Sequence, residues 1–156
     1  MRTGRRLAVD VGKVRIGIAI CDREAILSSP IEAVARLSNV SETVASIVQL
    51  AVTHGVIEVY VGDPLSLNGK ATDSTNDARF FALELSKSLS IPVRMIDERL
   101  TTVSATAKLR ASGISAKDSK SIIDSVSAVE ILESALSYEK SSGLAPGNLV
   151  GDSVGA

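Results

Sequence analysis

Two apolar, β-branched runs split by a glycine turn open this chain, and strand and helix patterns then alternate. That order leaves few folds. Arg6–Val11 and Arg15–Cys21, separated by Gly12-Lys13, read as a hairpin. Ala25 to Arg36 is less regular and reads as a third antiparallel strand, with Pro30 marking an edge or a bulge. Asn39, followed three residues on by Glu42, is a helix-start pattern. Val44, Ile47, Val48 and Ala51 recur at helical spacing until Gly55. Val56–Val61 is a short strand broken by Gly62-Asp63-Pro64, and Leu65 to Asp73 is a loop. Ser74 to Asp77 opens a helix carrying Phe80, Phe81, Leu83 and Leu85, and Val93–Ile96 after Pro92 is another strand. Thr102 to Ser112 reads as a shorter helix, and a last helix runs to about Tyr138. Strand–helix–strand connections imply parallel pairing, and the hairpin implies antiparallel pairing. The expected fold is therefore α/β, a mixed five-stranded sheet with helices on its faces.

With 156 residues, 45% of them hydrophobic, the chain can build one domain with a sizeable core. Residues 1–140 read as that domain, and the Gly/Ser-rich stretch 141–156 reads as a flexible tail. Net charge is -1, so the chain is not held on nucleic acid by bulk charge alone, although a local basic patch is compatible with it. Cys21 is the only cysteine, which excludes an internal disulfide and a Cys-rich zinc site. Aromatics at 3% argue against a surface of base-stacking platforms. No apolar run is long enough to span a bilayer, and the basic N-terminus lacks the pattern of a signal peptide. A cytoplasmic protein is expected.

Three acids stand where charge is costly unless paired or metal-bound. Asp10 ends the first strand, Glu98 ends the Val93–Ile96 strand, and Asp124 lies within an apolar helix pattern. Mg²⁺ and Mn²⁺ favour hard oxygen ligands, and separated carboxylates on rigid elements can supply them. Each acid also has a plainer reading. Asp10 can bond the turn near Gly12, Glu98 can form a surface salt bridge, and Asp124 can pair with an arginine. Asp97 and Glu98 point to opposite faces of an extended strand, so at most one of them meets Asp10. Asp124 shares a helix side with Ala128, Ile131 and Ala135, which fits a buried position better than a solvated one. Asp63, another strand-end acid, is a turn residue or a ligand. His54 reads as a helix-end residue and Cys21 as a core thiol. Of the basic residues flanking the acids, Arg5, Arg6, Lys13, Arg15, Arg99, Lys108, Arg110, Lys117 and Lys120, most read as ordinary solvated charges, while Arg15 and Arg99 are the best phosphate-binding candidates.

Together these motifs resemble the YqgF (RuvX) family of Holliday-junction-resolvase-like proteins, also described as pre-16S rRNA nucleases. The family's opening pattern stands here as Asp10, Gly12, Arg15, Ile16, Gly17 and Ala19. Its Gly-x-Pro-then-Gly loop stands as Gly62, Pro64 and Gly69, and its Asp-Glu-Arg-Leu-Thr-Thr stretch is complete from Asp97 to Thr102. Its last motif is matched by Asp124, Ser125 and Ala128. Ser127 replaces an alanine of that motif, and Asp63 stands where the family is usually apolar. The opening motif alone is shared with actin-like ATPases; the four in order carry the resemblance. The resemblance covers Arg6 to Tyr138.

The resemblance implies an RNase H-like fold, an acidic triad of Asp10, Glu98 and Asp124, and Mg²⁺ or Mn²⁺ as cofactor. It implies a metal-dependent nuclease that matures the 5′ end of the 16S rRNA precursor in ribosome biogenesis. Arg15, Arg99, Thr101 and Thr102 would hold phosphate oxygens. The alternatives are a DNA junction resolvase and a non-catalytic RNA- or protein-binding factor of the same fold. An actin-like ATPase would need a second domain. Endo- or exonucleolytic cleavage, one metal or two, and monomer or homodimer all stay open.

Overall fold

A computed structural model describes residues 1–100 and 125–151. In chain order it contains β1 (Arg6–Val11), β2 (Arg15–Cys21), β3 (Ser28–Ala35), α1 (Val40–His54), β4 (Glu58–Asp63), α2 (Asp73–Ser88) and β5 (Val93–Asp97). A 3-10 turn (Glu98–Leu100), α3 (Val126–Ser142) and β6 (Asn148–Leu149) come next.

The described strands form one sheet in the order β3-β2-β1-β4-β5-β6. β1, β4 and β5 are parallel; β2, β3 and β6 pair antiparallel with their neighbours. The mixed sheet is as expected, but it has six strands rather than five. The extra strand, β6, lies in the stretch read as a tail. It pairs through Arg94↔Leu149 and Met95↔Asn148, and the Val150 N–H donates to Val93 O at 2.8 Å. Apolar patterning gives no sign of it, because Asn148 and Leu149 are exposed and the attachment is main-chain bonding. Gly147 permits the approach: its φ is +67°, and a Cβ there would sit 2.1 Å from Met95 O.

Local chemistry explains most element ends. Asn39 Oδ1 accepts from the Ser41 N–H at 2.9 Å, and Gly55 in the left-handed region stops α1. α2 starts at Asp73, earlier than the Ser74–Asp77 pattern suggests. Thr72 and Thr75 form a reciprocal capping box, a threonine standing in for the usual Glu or Gln. β4 runs on through Gly62 to Asp63 because β5 continues beside it, pairing Gly62↔Ile96 and Asp63↔Asp97. Pro30 sits on the edge strand β3, where a missing N–H costs least, and the β2–β3 register shifts between Ile16 and Ile18.

Alternation divides the sheet into two faces. Leu7, Val9, Ile16, Ile18, Val59 and Val61 pack under Val44 and Ile47 of α1 and Phe81 and Leu85 of α2. Ala8, Ala19, Tyr60 and Ile96 pack on the other face under Ala128, Ile131, Leu132 and Ala135 of α3. Among the described residues, no helix is long and apolar enough to cross a membrane.

One expectation fails on this second face. Arg6 is not a solvated charge but is fully buried. Its Nη2 donates to Glu139 Oε2 at 3.0 Å and to Arg2 O at 2.8 Å. Glu58, equally buried, accepts from Arg2 Nη2 at 2.8 Å and Arg94 Nε at 3.0 Å. Burial pushes the Glu58 and Glu139 carboxyls up, but the arginine hydrogen bonds outweigh it and hold both below the ordinary carboxylate value.

Candidate active site

The same alternation builds a second charged centre at the opposite end of the α3 face. β1 places Arg6, Ala8 and Asp10 on this face, and β4 places Glu58, Tyr60 and Gly62 there. β5 places Arg94 and Ile96 there. The registers Arg6↔Glu58, Ala8↔Tyr60, Tyr60↔Arg94 and Gly62↔Ile96 align the rows. Glu98 comes two residues after Ile96. Ligand sites in parallel sheets gather at the carboxyl ends of strands, and Asp10 and Glu98 stand at two such ends.

Glycines make the room. Asp10 is half-buried opposite Gly17 of β2, which has no side chain to fill the space. A Cβ on Gly62 would lie 2.6 Å from Ile131 Cδ1 and 2.9 Å from Glu98 Cδ. The Glu98 side chain therefore lies directly over the Gly62 backbone, with Ile131 of α3 closing the same spot. The turn that returns β1 to β2 is equally tight, since a Cβ on Gly12 would lie 2.4 Å from Arg15 O.

Electrostatics sets Glu98 apart from the other acids. Burial and the charges of Asp10, Asp63, Asp97 and Glu130 push its carboxyl up from 4.5 to about 7. The opposite face treats its acids differently. Asp63 is paired in parallel with Arg79 of α2, at 2.9 Å from both Nε and Nη2. Asp63 is thus the last residue of β4, ion-paired to α2, rather than a turn residue. Asp97 takes Arg99 Nη2 at 2.7 Å and the Arg99 N–H at 2.9 Å. These bonds hold the Asp97 carboxyl below its ordinary value. Of the adjacent pair, Glu98 is thus the one on the face that carries Asp10.

Arg15 is half-buried on β2, across from Ala35. Arg99 is exposed, and its guanidinium also lies against Gly69 of the β4–α2 loop, with Nη1 3.1 Å from where a Cβ would stand. Asp124, Thr101 and Thr102 lie outside the described residues. The contributions of Gly62, Ile131 and Glu130 were not read from sequence. Gly62 at a strand end was the available signal, but its turn reading hid it.

The donor set fits a hard divalent cation. Asp10 and Glu98 offer carboxylate oxygens only, and their mutual repulsion is what a cation would relieve. Among the described residues, no group of three His, Cys, Asp or Glu is arranged to hold a metal.

A mixed sheet with an antiparallel hairpin, parallel inner strands and helices on both faces is the architecture of an RNase H-like fold. The solved structure of T. thermophilus RuvC in complex with a Holliday junction substrate superposes with a TM-score of 0.64, covering 92% of this chain and 98% of that one. At 13% identity that likeness concerns the fold. The family model of RuvX, described as Holliday junction resolvase, matches residues 4–138, and the chain belongs to that family. A protein of Clavibacter michiganensis subsp. michiganensis named "Putative pre-16S rRNA nuclease" is 49% identical over 150 residues, covering 96% of this chain and 93% of its own. A protein of the same name from Streptomyces coelicolor is 47% identical over 148 residues, covering 94% of this chain and 88% of its own.

Proposed function

We propose that this chain is a divalent-metal-dependent nuclease that hydrolyses phosphodiester bonds in the 16S rRNA precursor, near its 5′ end. The observation that carries the reading is the Asp10–Glu98 pair. Two carboxylates share one face at the ends of parallel strands, one of them pressed onto a glycine and raised to about 7 by burial and by its acidic neighbours. Gathered carboxylates with a raised pKa are characteristic of functional sites, and a cation site needs such a pair. The names of the curated relatives supply the RNA substrate.

Asp10 and Glu98, with Asp124, would hold Mg²⁺ or Mn²⁺. When bound, the metal supplies an acidified water and charge stabilisation for the leaving oxygen. The protein's own groups do the rest. Glu98 exchanges its proton near neutral pH and so accepts a cation with little cost. Ile131 and Gly62 fix the position of its carboxyl. Arg15 and Arg99, with Thr101 and Thr102, would orient the phosphate. Arg99 would leave Asp97 to do so, a modest exchange for an exposed pair.

The test is a cleavage assay on structured precursor RNA, single-stranded RNA and four-way DNA junctions, with Mg²⁺, Mn²⁺ or EDTA. RNA cleavage that needs metal and drops by orders of magnitude in Asp10→Asn, with RNA binding kept, is expected. Cleavage in EDTA, or full activity in Asp10→Asn, refutes the mechanism. The family's description keeps the junction arm in the assay: cleavage of the junction alone would reassign the substrate to DNA. Tight RNA binding without cleavage would favour a non-catalytic factor.

A further inference from the structure

The serine at the start of α3 does not cap its helix. Ser125 is fully buried at the N-cap position, where a hydroxyl ordinarily accepts from the helix's own free N–H groups, yet it makes no such bond. The hydroxyl reaches into the sheet instead. The Ile18 N–H donates to Ser125 Oγ at 3.0 Å, and Ser125 Oγ donates to Ile31 O at 2.8 Å.

These two partners face each other across β2 and β3 where the ladder is irregular. Between the pairs Ile16↔Val34 and Ile18↔Ile31, β2 has one residue and β3 has two. Such a bulge interrupts the cross-strand bonds, and buried N–H and C=O groups beside it need other partners. One hydroxyl serves both, as donor to one strand and acceptor from the other. The bulge and the serine explain each other.

The course of α3 beyond Ser125 gives this contact its consequence. Ile131 closes over Gly62 at the spot where Glu98 lies, and Glu130 adds to the charge that Glu98 feels. In sequence, Ser125 stands directly after Asp124. We propose that Ser125 is a positioning residue of the active site: its hydroxyl locks the start of α3 to the β2–β3 bulge and so fixes how α3 closes over the acid pair. It acts through that backbone contact. The inference rests on the proposed nuclease function.

The test compares full-length wild type, Ser125→Ala, Ser125→Thr and Ile47→Val. The last is a destabilising control in the α1–α2 core, away from the acids. In Ser125→Ala the Ile18 amide should exchange with solvent at least ~10-fold faster by NMR, because its partner is gone. The kcat should fall about 10–100-fold with KM for RNA little changed, the usual scale for a supporting contact. The rise in Tm produced by Mn²⁺ should shrink. Ser125→Thr keeps the hydroxyl and should recover most of both, while Ile47→Val lowers Tm without changing kcat. Where Ser125→Ala is too unstable to assay, Ser125→Cys fills the same space with a poor donor and carries the same expectation. Full kcat in the variant lacking the hydroxyl overturns the proposal. So does a loss matched by Ile47→Val at equal Tm. If Asp10→Asn is as active as wild type, the nuclease mechanism itself has failed; if Asp10→Asn is dead and Ser125→Ala intact, only the positioning role has.

Discussion

Replacing Glu98 by glutamine should stabilise the metal-free protein, and only above a defined pH. The carboxyl is displaced from 4.5 to about 7 by burial and by Asp10, Asp63, Asp97 and Glu130. Between those values the folded state binds more protons than the unfolded state, so stability falls as pH rises through the window. The loss is absent below about pH 4.5 and complete above about pH 7. At about 1.4 kcal/mol per pH unit, the charged carboxylate costs up to about 3 kcal/mol at pH 8. Glutamine keeps the size and loses the charge. Glu98→Gln should therefore match wild type near pH 4.5 and exceed it by up to about 3 kcal/mol at pH 8. For a chain of this length that is roughly 6–12 °C in Tm. Melts followed by circular dichroism from pH 4.5 to 8.5 in EDTA measure the gap. Saturating Mn²⁺ should then raise wild type and leave the variant nearly unmoved, closing or reversing the difference. A gap that does not grow with pH would refute the electrostatic origin of the strain. A variant that gains as much from Mn²⁺ as wild type would refute Glu98 as a ligand.

Gly62→Ala places a methyl against Ile131 and Glu98 and should cost about 1–3 kcal/mol in urea unfolding; activity per folded molecule should fall, and an unchanged rate would show that the Glu98 position is not critical. Glu139→Ala leaves the buried Arg6 guanidinium without its carboxylate and should cost about 3–5 kcal/mol, read as a lower urea midpoint, without altering the metal dependence of the remaining activity. Arg99→Ala should weaken RNA binding and reduce the slope of log K against log salt by about 1 in filter-binding titrations; an unchanged slope would remove Arg99 from the phosphate contacts.

The central strands were legible in sequence, and Asp10 and Glu98 stood out as strand-end acids, because hydrophobic period and strand-end charge are local signals. The bounds of β1 and β2 come directly from the apolar runs, and Pro30 marked both the edge strand and the neighbourhood of the bulge. Opposite facing of Asp97 and Glu98 is a consequence of the two-residue period, and the Arg99 pairing of Asp97 leaves Glu98 toward Asp10. The features that stayed hidden depend on distant partners. β6 is two exposed residues held by main-chain bonds, so no side-chain pattern reports it. Arg6 looks like a solvated charge until Glu139, far along the chain, meets it inside the fold. Gly62 looks like a strand breaker because the close approach of Glu98 and Ile131 comes from other elements.

The α3 face carries two charged centres, and their contrast is itself evidence about function. At one end Glu58 and Glu139 are buried, and each is met by guanidinium groups that lower its pKa. At the other end burial, and then the charges of Asp10, Asp63, Asp97 and Glu130, raise Glu98. Arginines are available near that end too, but Arg79 and Arg99 are engaged by Asp63 and Asp97. Counter-charges thus hold Glu58, Glu139, Asp63 and Asp97, while burial and neighbouring carboxylates raise Glu98. The apolar layer of Ala8, Tyr60 and Ile96 lies between the two centres, so the paired end can stabilise the helix–sheet contact without neutralising the acids. A strained site is tolerable when the surrounding structure holds it firmly. Here the firmness comes from the ion-paired end of α3 and from Ser125 at its start.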